Sequence, residues 1–538
     1  MKKIGAAVVA RAFRNAPIFD AAFLLVFSIA LCWFAKAQNI WVDETTQLSG
    51  ITLTFGGMLK WLGGHDVTQF GVPGDRMPPL SYMIDWMWLR LSGSSELGFR
   101  LFHAAFLVSG VAIILAAARR SLGRPAWLVA LAMLGLSPKL MQTAVEIRAY
   151  PIFFAITCAQ LAIFLRLLHD RQSIDKRLLA LFSILSIAAI CTHFFGLVSD
   201  FSFFSALVLA HIRNRRTLPS ILAAGVATVA ASIGILPFVL SALAHSGVAS
   251  GQEPANAQRY FEYPFKLLGD SANLISLPAA ALFFGGTLVL FLASVVAVIT
   301  RLSAGVAKPV DWLLVVVTLG IAATLAISCA VKGFDPLKAS YSTWLFPPLT
   351  LIIANGVVEL IGMRHWQKIA VFPVAVLTVG AAISTYAFLV NPSEFIHGPQ
   401  KFVDTLYDQM ESPKAAVYEV GAAWPWSYFP LVFDHNGELA QYRADTNGAE
   451  LIRIATSVPQ PAPQQLAVAL APYTHILLVD IRLRSYRDIR QCHAQACPQF
   501  ARGRIETALL QSGHWQEISS QRKFGLYDAE VKTFTRID

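Results

Sequence analysis

The stretch Trp41-Val-Asp-Glu-Thr-Thr46 comes soon after an apolar run from Ile18 to Ala35. It sets two adjacent carboxylates, Asp43 and Glu44, where a first helix has just left a membrane. Ionised acids are costly there unless water, a cation or a substrate uses them. A solvated loop start with acidic residues is the plain alternative, and the spacing of the pair does not choose between the two.

Outward from that pair, the composition calls for a bilayer. Of 538 residues, 55% are hydrophobic and 14% charged, whereas a soluble domain carries about 25% charged residues. Apolar runs recur through the first 390 residues, which a single signal peptide would not explain. Met1, Lys2 and Lys3 with Arg11 and Arg14 resemble a signal n-region, but no clean small-x-small cleavage site follows, so the first run reads as a retained span. The formal charge of +10 would suit a nucleic-acid partner, yet Lys and Arg cluster in short turns between apolar runs, as in cytoplasmic loops. Nucleic acid is therefore not implied.

Taking runs of roughly 17–25 apolar residues as spans places helices near 18–36, 100–118, 125–141, 150–168, 178–193, 195–212, 218–244, 276–300, 311–330, 343–362 and 367–389. The basic turns are the N-terminal tail, Arg119-Arg120 with Arg124, Arg166 to Arg177, Arg213 to Arg216, Arg301 with Lys308, and Arg364 with Lys368. If these face the cytoplasm, Asp43 and Glu44, the 137–149 turn, His193, the 245–275 loop, the 331–342 turn and the C-terminus all fall on the opposite side. Between 37 and 99, the piece from Leu80 to Leu91, with Tyr82, Trp86 and Trp88, is too short and too aromatic to span and reads as an interfacial helix. The 245–275 loop is rich in Gly, Ala and Pro and carries Arg259.

After Asn391-Pro392 the composition turns polar, with strand-like runs at Ala415–Val420 and His475–Val479 and a helical pattern near 500–511. The predicted fold class is an α-helical integral membrane protein of about eleven transmembrane helices (1–390), with interfacial helices in the first external loop and a C-terminal soluble α/β domain (391–538). Cys492 and Cys497 lie close together in that polar region and read as a local disulfide if it faces an oxidising compartment.

With this topology Asp43, Glu44, Asp75, Glu146, Arg148, His193, Lys338 and Tyr341 gather at helix ends and loops of one face. Carboxylates there can act as a general base on a hydroxyl. Arg and Lys can hold a phosphate and stabilise charge on a leaving group. Pairing with headgroups or with each other is the other reading of the same residues. For His193, a satisfied core histidine is the commoner case. No P-loop, Gly-rich nucleotide fingerprint or zinc spacing is present. The sequence names no cofactor and leaves a divalent metal open.

Trp41-Val-Asp-Glu44, Pro78-Pro-Leu-Ser-Tyr-Met83 with Ser95-Glu-Leu-Gly-Phe-Arg-Leu101, Glu146-Ile-Arg-Ala-Tyr150 and Thr192-His-Phe-Phe-Gly196 occur in this order. Over residues 15–390 the chain resembles the GT-C glycosyltransferases, in the polyprenyl-phosphate-sugar branch that includes protein O-mannosyltransferases and the lipid A aminoarabinose transferase. The resemblance implies an inverting transfer of a sugar from a polyprenyl-phosphate donor to a glycolipid, glycan or protein acceptor, on the periplasmic face of the inner membrane. It implies Asp43 as base or acceptor-positioning residue, with Glu44 as its neighbour in the catalytic pair. It implies Arg148 near the active site and, as a partial match, Lys338 with Tyr341 near the lipid phosphate. By their place on the same face, Arg259 is added as a donor-phosphate candidate and Asp75, Glu146 and His193 as further pocket residues. Relatives often read His-Pro-Pro before the interfacial helix, whereas this chain has Met77, so that histidine's role does not carry over.

Two rival functions fit a membrane protein of this composition. A transporter or flippase of lipid-linked sugars would place charges near the midplane and show repeats or broken helices. This sequence gathers its acids at one face and shows no repeat. The other rival is a membrane-anchored binding protein whose C-terminal region is the working part.

Overall fold

The computed structural model describes residues 16–37, 42–65, 74–75, 77–169, 173–244, 263–264, 267, 277–330, 339–363, 370–390, 415–420, 431–433, 439–441, 450–455, 473–483, 504–523 and 527–537. Lys338, Arg259, Cys492 and Cys497 lie outside these residues, as does nearly all of the 245–275 loop.

The chain is mainly helical up to Val390: α1 Ala16–Ala37, α2 Val42–Thr52, α3 Phe55–Leu62, α4 Pro79–Ser92, α5 Glu96–Ser121, α6 Arg124–Gly135, α7 Pro138–Val145, α8 Ala149–Leu167, α9 Lys176–Thr192, α10 Phe195–His211, α11 Leu218–Ser232, α12 Leu236–Ala244, α13 Leu277–Ser303, α14 Trp312–Ala330, α15 Phe346–Gly362 and α16 Val371–Val390. Among the described residues, eight helices are long and apolar enough to cross a membrane, or nine if the bent pair α6–α7 is one span. Helices α9 and α10, which the sequence reads as two further spans, have 17 residues each. Large apolar side chains point outward from the bundle, among them Leu25, Val226, Val296 and Phe372. Such a surface is stable in lipid and not in water.

One predicted element is corrected. The sequence reads 125–141 as a straight span and 137–149 as a turn, but the helix breaks after Gly135 and resumes at 57° as α7. The reason is local. Pro138 disfavours helical geometry in the residue before it and sits well at the first position of a new helix. The Ser137 hydroxyl caps that helix by accepting from the Leu140 N–H.

The bundle is closed by α13 against α15 and α16, α5 against α8, α8 against α9, and α10 against α14. Helix α4, on the interfacial segment, starts at Pro79 and is tied to the end of α2, since the Trp86 indole N–H donates to the Leu53 carbonyl at 3.0 Å. Met77 is buried in an apolar cluster with Trp61 and Tyr82.

Beyond Val390 the described strands are β1 Ala415–Val420, β2 Leu431–Phe433, β3 Leu439–Gln441, β4 Glu450–Ala455, β5 His475–Leu483, β6 Trp515–Lys523 and β7 Tyr527–Arg536, with helix α17 Arg504–Gln511. Five of them form one mixed sheet in the order β4-β1-β5-β7-β6. Strand β1 is parallel to both β4 and β5, and β7 is antiparallel to β5 and β6. Ile476, Leu478, Leu509, Trp515 and Phe534 make its apolar core. The short β2–β3 hairpin is separate, and β2 lies next to α2.

Candidate functional site

Both acids of the opening motif fall in the first turn of α2, where the positive end of the helix dipole favours negative charge. They then part company. Glu44 is fully buried, and its carboxylate is held by the Arg100 guanidinium at 2.8 Å (Nη1 to Oε1) and 3.2 Å (Nη2 to Oε2). The Ile147 N–H donates to the same carboxylate at 2.9 Å. Arg100 also donates to Glu96 one turn earlier on α5, at 2.6 Å, and to the Val145 carbonyl at 2.9 Å. This is a complete buried network joining α2, α5 and the segment after α7. The sequence reads Glu44 as half of a catalytic pair; here both of its carboxylate oxygens accept hydrogen bonds from the scaffold. Arg100, quoted within a motif but given no role from sequence, is the centre of that scaffold.

Asp43 keeps a partly exposed side chain. Its backbone carbonyl accepts from Arg148 Nη1 at 2.9 Å, and the same nitrogen donates to Asp75 Oδ2 at 2.7 Å. The Tyr82 hydroxyl donates to that Asp75 oxygen at 2.6 Å. Arg148 therefore binds three chain segments to each other: the start of α2, the residues before α4, and the start of α8. Burial opposes its charge, but Asp75 and Asp43 more than offset this and hold the guanidinium protonated. Tyr82 is held in its neutral phenol form by burial and by Asp75. Gly50 matters here, since a Cβ at that position would come within 2.4 Å of the Trp61 ring and 2.7 Å of the Tyr82 ring.

Glu146, one residue after α7, is buried, and its Oε2 has no hydrogen-bond partner. Burial pushes its carboxyl up to about 7, against the pull of Lys139 and with Glu44 and Asp43 adding to the rise. A carboxyl that holds its proton well above the usual carboxylate range therefore lies within the electrostatic reach of Asp43.

His193 fills the break between α9 and α10. Its ring stacks on Phe153 at 5.2 Å and lies beside Tyr150, Phe195 and Tyr341 at 5.5, 5.7 and 5.9 Å. Tyr341, in a short 3-10 turn at Ala339–Leu345, stacks on Phe195 at 5.8 Å. The glycine of Thr192-His-Phe-Phe-Gly196 permits this turn, because a Cβ on Gly196 would meet the Ile190 backbone at 2.4 Å. Burial and the nearby Arg148 keep the imidazole neutral.

Two polar clusters escaped sequence reading. Gln47 donates to Asp85 at 2.8 Å, and His103 lies 3.0 Å from the other Asp85 oxygen, all three fully buried between α2, α4 and α5. Gln160 donates to Asp200 at 2.7 Å and to Ser186 at 3.0 Å inside the bundle. The only sequence signal for either was a polar residue in an apolar stretch. Among the described residues no group of three or more His, Cys, Asp or Glu side chains is placed to hold a metal ion.

No family model matches this sequence, and no curated protein matches it. Among solved structures, ArnT from Cupriavidus metallidurans in the apo state aligns over 97% of this chain and 98% of its own, with TM-score 0.55 and 13% identity. This chain has the fold of ArnT. The same protein bound to undecaprenyl phosphate aligns over 96% of this chain and 97% of its own, again with TM-score 0.55 and 13% identity. The archaeal oligosaccharyltransferase AglB from Archaeoglobus fulgidus, in complex with an inhibitory peptide and a dolichol-phosphate, aligns over 86% of this chain and 70% of its own, with TM-score 0.45 and 11% identity. The ArnT-like alignment runs nearly end to end, so it takes in the strands after Val390 as well as the bundle.

Proposed function

We propose that this protein is a membrane glycosyltransferase that moves a sugar from a polyprenyl-phosphate donor to an acceptor hydroxyl, with inversion. The observation that carries the reading is the junction of Asp43 and Arg148 at one end of an ArnT-like bundle. It sets a partly exposed carboxylate beside a buried, firmly protonated guanidinium. The solved ArnT that shares this fold binds undecaprenyl phosphate, which supports a lipid-phosphate donor here.

In the proposed reaction the acceptor oxygen attacks the anomeric carbon from the face opposite the phosphate. The carbon–oxygen bond to the phosphate breaks, and the acceptor proton passes to Asp43. Polyprenyl phosphate leaves with the electron pair, its charge met by Arg148 together with Lys338, Tyr341 and Arg259. Asp75 and Tyr82 orient Arg148, and Glu44 with Arg100 fixes the first turn of α2 so that Asp43 is presented to the acceptor.

The proposed topology has eleven spans, adding α6–α7, α9 and α10 to the eight long helices. The site and residues 391–538 then lie on the periplasmic side, the latter as a small domain stapled by Cys492 and Cys497. The position of β2 next to α2 supports a role for that domain in holding the acceptor, which is a glycolipid, a glycan or a protein.

The test is Asp43→Asn in full-length protein reconstituted in lipid, assayed with a panel of synthetic polyprenyl-phosphate sugars. Loss of a general base lowers turnover by about 10²–10⁴-fold. Turnover near that of the native protein would remove Asp43 from the role of base.

A further inference from the structure

Buried N–H groups without partners are rare, because water has been removed from them and nothing has replaced it. Among the described residues several buried nitrogens have no partner, and two of them, Arg148 Nε and His193 Nε2, belong to the residues already placed in the candidate site. Arg148 is already a phosphate residue in the function proposed above. His193 is a different kind of group, uncharged and embedded in aromatic rings.

Its hydrogen-bonding pattern is decided by the backbone. The Phe195 N–H donates to His193 Nδ1 at 3.1 Å, so Nδ1 is the acceptor nitrogen. In a neutral imidazole the other nitrogen must then carry the proton. Nε2–H is thus a donor, and it is buried with no partner among the described residues. The Nδ1 acceptor thus has a structural task at the start of α10, whereas nothing among the described residues uses the Nε2–H. The ring stacks on Phe153 and is surrounded by Tyr150, Phe195 and Tyr341, an aromatic setting in which a buried N–H is costly unless something accepts it.

We infer that His193 donates a hydrogen bond from Nε2 to an oxygen of the lipid phosphate, the same group that Arg148 holds. The inference rests on the polyprenyl-phosphate reading of the site and deepens it by assigning the residue. The division of labour is physical. Arg148 supplies charge, and His193 supplies a directional, uncharged donor whose tautomer is set before the lipid arrives. Such a donor loses no proton-linked energy on binding and strengthens as charge collects on the departing phosphate. The Thr-His-Phe-Phe-Gly turn is then a device for aiming one N–H: the Phe195 amide sets the tautomer and Gly196 lets α9 and α10 meet closely enough to hold the ring.

The experiment measures binding of undecaprenyl phosphate and of undecaprenol to full-length protein in nanodiscs. Three forms are compared: native, His193→Phe, and His193→Gln, whose side-chain amide restores a donor near the Nε2 position. The expected result is a loss of about 10–100-fold in affinity for undecaprenyl phosphate in the Phe variant, the factor for a hydrogen bond to a charged group. The Gln variant should stay within about threefold of native, undecaprenol should bind all three alike, and the ligand-free Phe variant should melt somewhat lower than native because the Phe195 N–H loses its acceptor. Equal phosphate affinity in the Phe variant overturns the inference while leaving the donor reading standing. So does a loss shared by undecaprenol, which would make the ring a wall for the lipid tail. If native protein binds undecaprenyl phosphate no better than undecaprenol, the donor reading falls and the inference with it.

Discussion

The charged groups described at the two ends of the helical bundle are used differently. At the basic end, Arg301 donates to Asp311 at 2.8 Å and to Glu359 at 2.7 Å, Lys308 lies 3.4 Å from Glu359, and Arg119 and Trp127 both donate to Asp20. These groups tie α13 to α14 and α15, and α5 to α1, with side chains that mostly touch solvent. At the other end the charges are deeper, and their partners are incomplete. Glu146 Oε2, Arg148 Nε, His193 Nε2, His103 Nδ1 and Gln47 Oε1 are all buried without a hydrogen-bond partner. Native proteins leave few such atoms. The contrast is between charges paired across helices and buried polar groups left without a partner among the described residues.

Within the second end the same contrast recurs between two neighbours. Glu44 is fully satisfied, and Asp43 is not buried. The strongest way to break the comparison is to treat Glu44 as chemistry. Arg100→Gln leaves the Glu44 carboxylate buried without its charge partner, which costs about 3–5 kcal/mol. The expected outcome is a large drop in thermal stability, with much of it recovered when Glu44→Gln is added, because the stranded charge is then gone. A stable Arg100→Gln protein that has simply lost turnover would move Glu44 from scaffold to catalysis.

The distinction between these two acids could not be read from the chain. Asp43 and Glu44 are equivalent as letters, and only the approach of Arg100, 56 residues away, assigns one of them to the interior. What was legible was whatever depends on short stretches. Run length and hydropathy located the long spans, and strand β1 has the predicted bounds Ala415–Val420. The break at Ser137-Pro138 was legible too, but apolar residues on both sides of it masked a local signal. The Gln47–Asp85–His103 cluster was not legible at all, since its members come from three helices. Nor was the tautomer of His193, which depends on one backbone N–H.

A smaller effect sharpens the comparison by way of pH. Burial raises the Glu146 carboxyl from its usual 4.5 to about 7, so folding favours its protonated form. A raised acid contributes stability that is fully present below about pH 4.5 and lost as pH rises through about 7. On that basis the native protein should lose about 3 kcal/mol between those limits from this one group. Glu146→Gln, which cannot ionise, should show a flatter melting temperature from pH 5 to pH 8. An unchanged pH dependence would mean that water or a cation already pairs with Glu146, and that its partnerless Oε2 does not mark this end as distinct.

The smallest expected effect is at the basic end, and there the comparison is tested by what does not happen. Lys308 reaches Glu359 from an exposed position, while Arg301 already binds the same carboxylate more closely. Exposed pairs contribute about 0–1 kcal/mol, since solvent screens them and two long side chains must be ordered. Lys308→Ala should therefore shift the melting temperature by no more than a degree or two and leave the proposed sugar transfer and its pH profile as they were. Glu359 keeps its Arg301 partner in that variant, so no charge is stranded. A clear loss of transfer would show that the two ends are coupled through α13 and α15, and that charge at the basic end does more than hold helices in place.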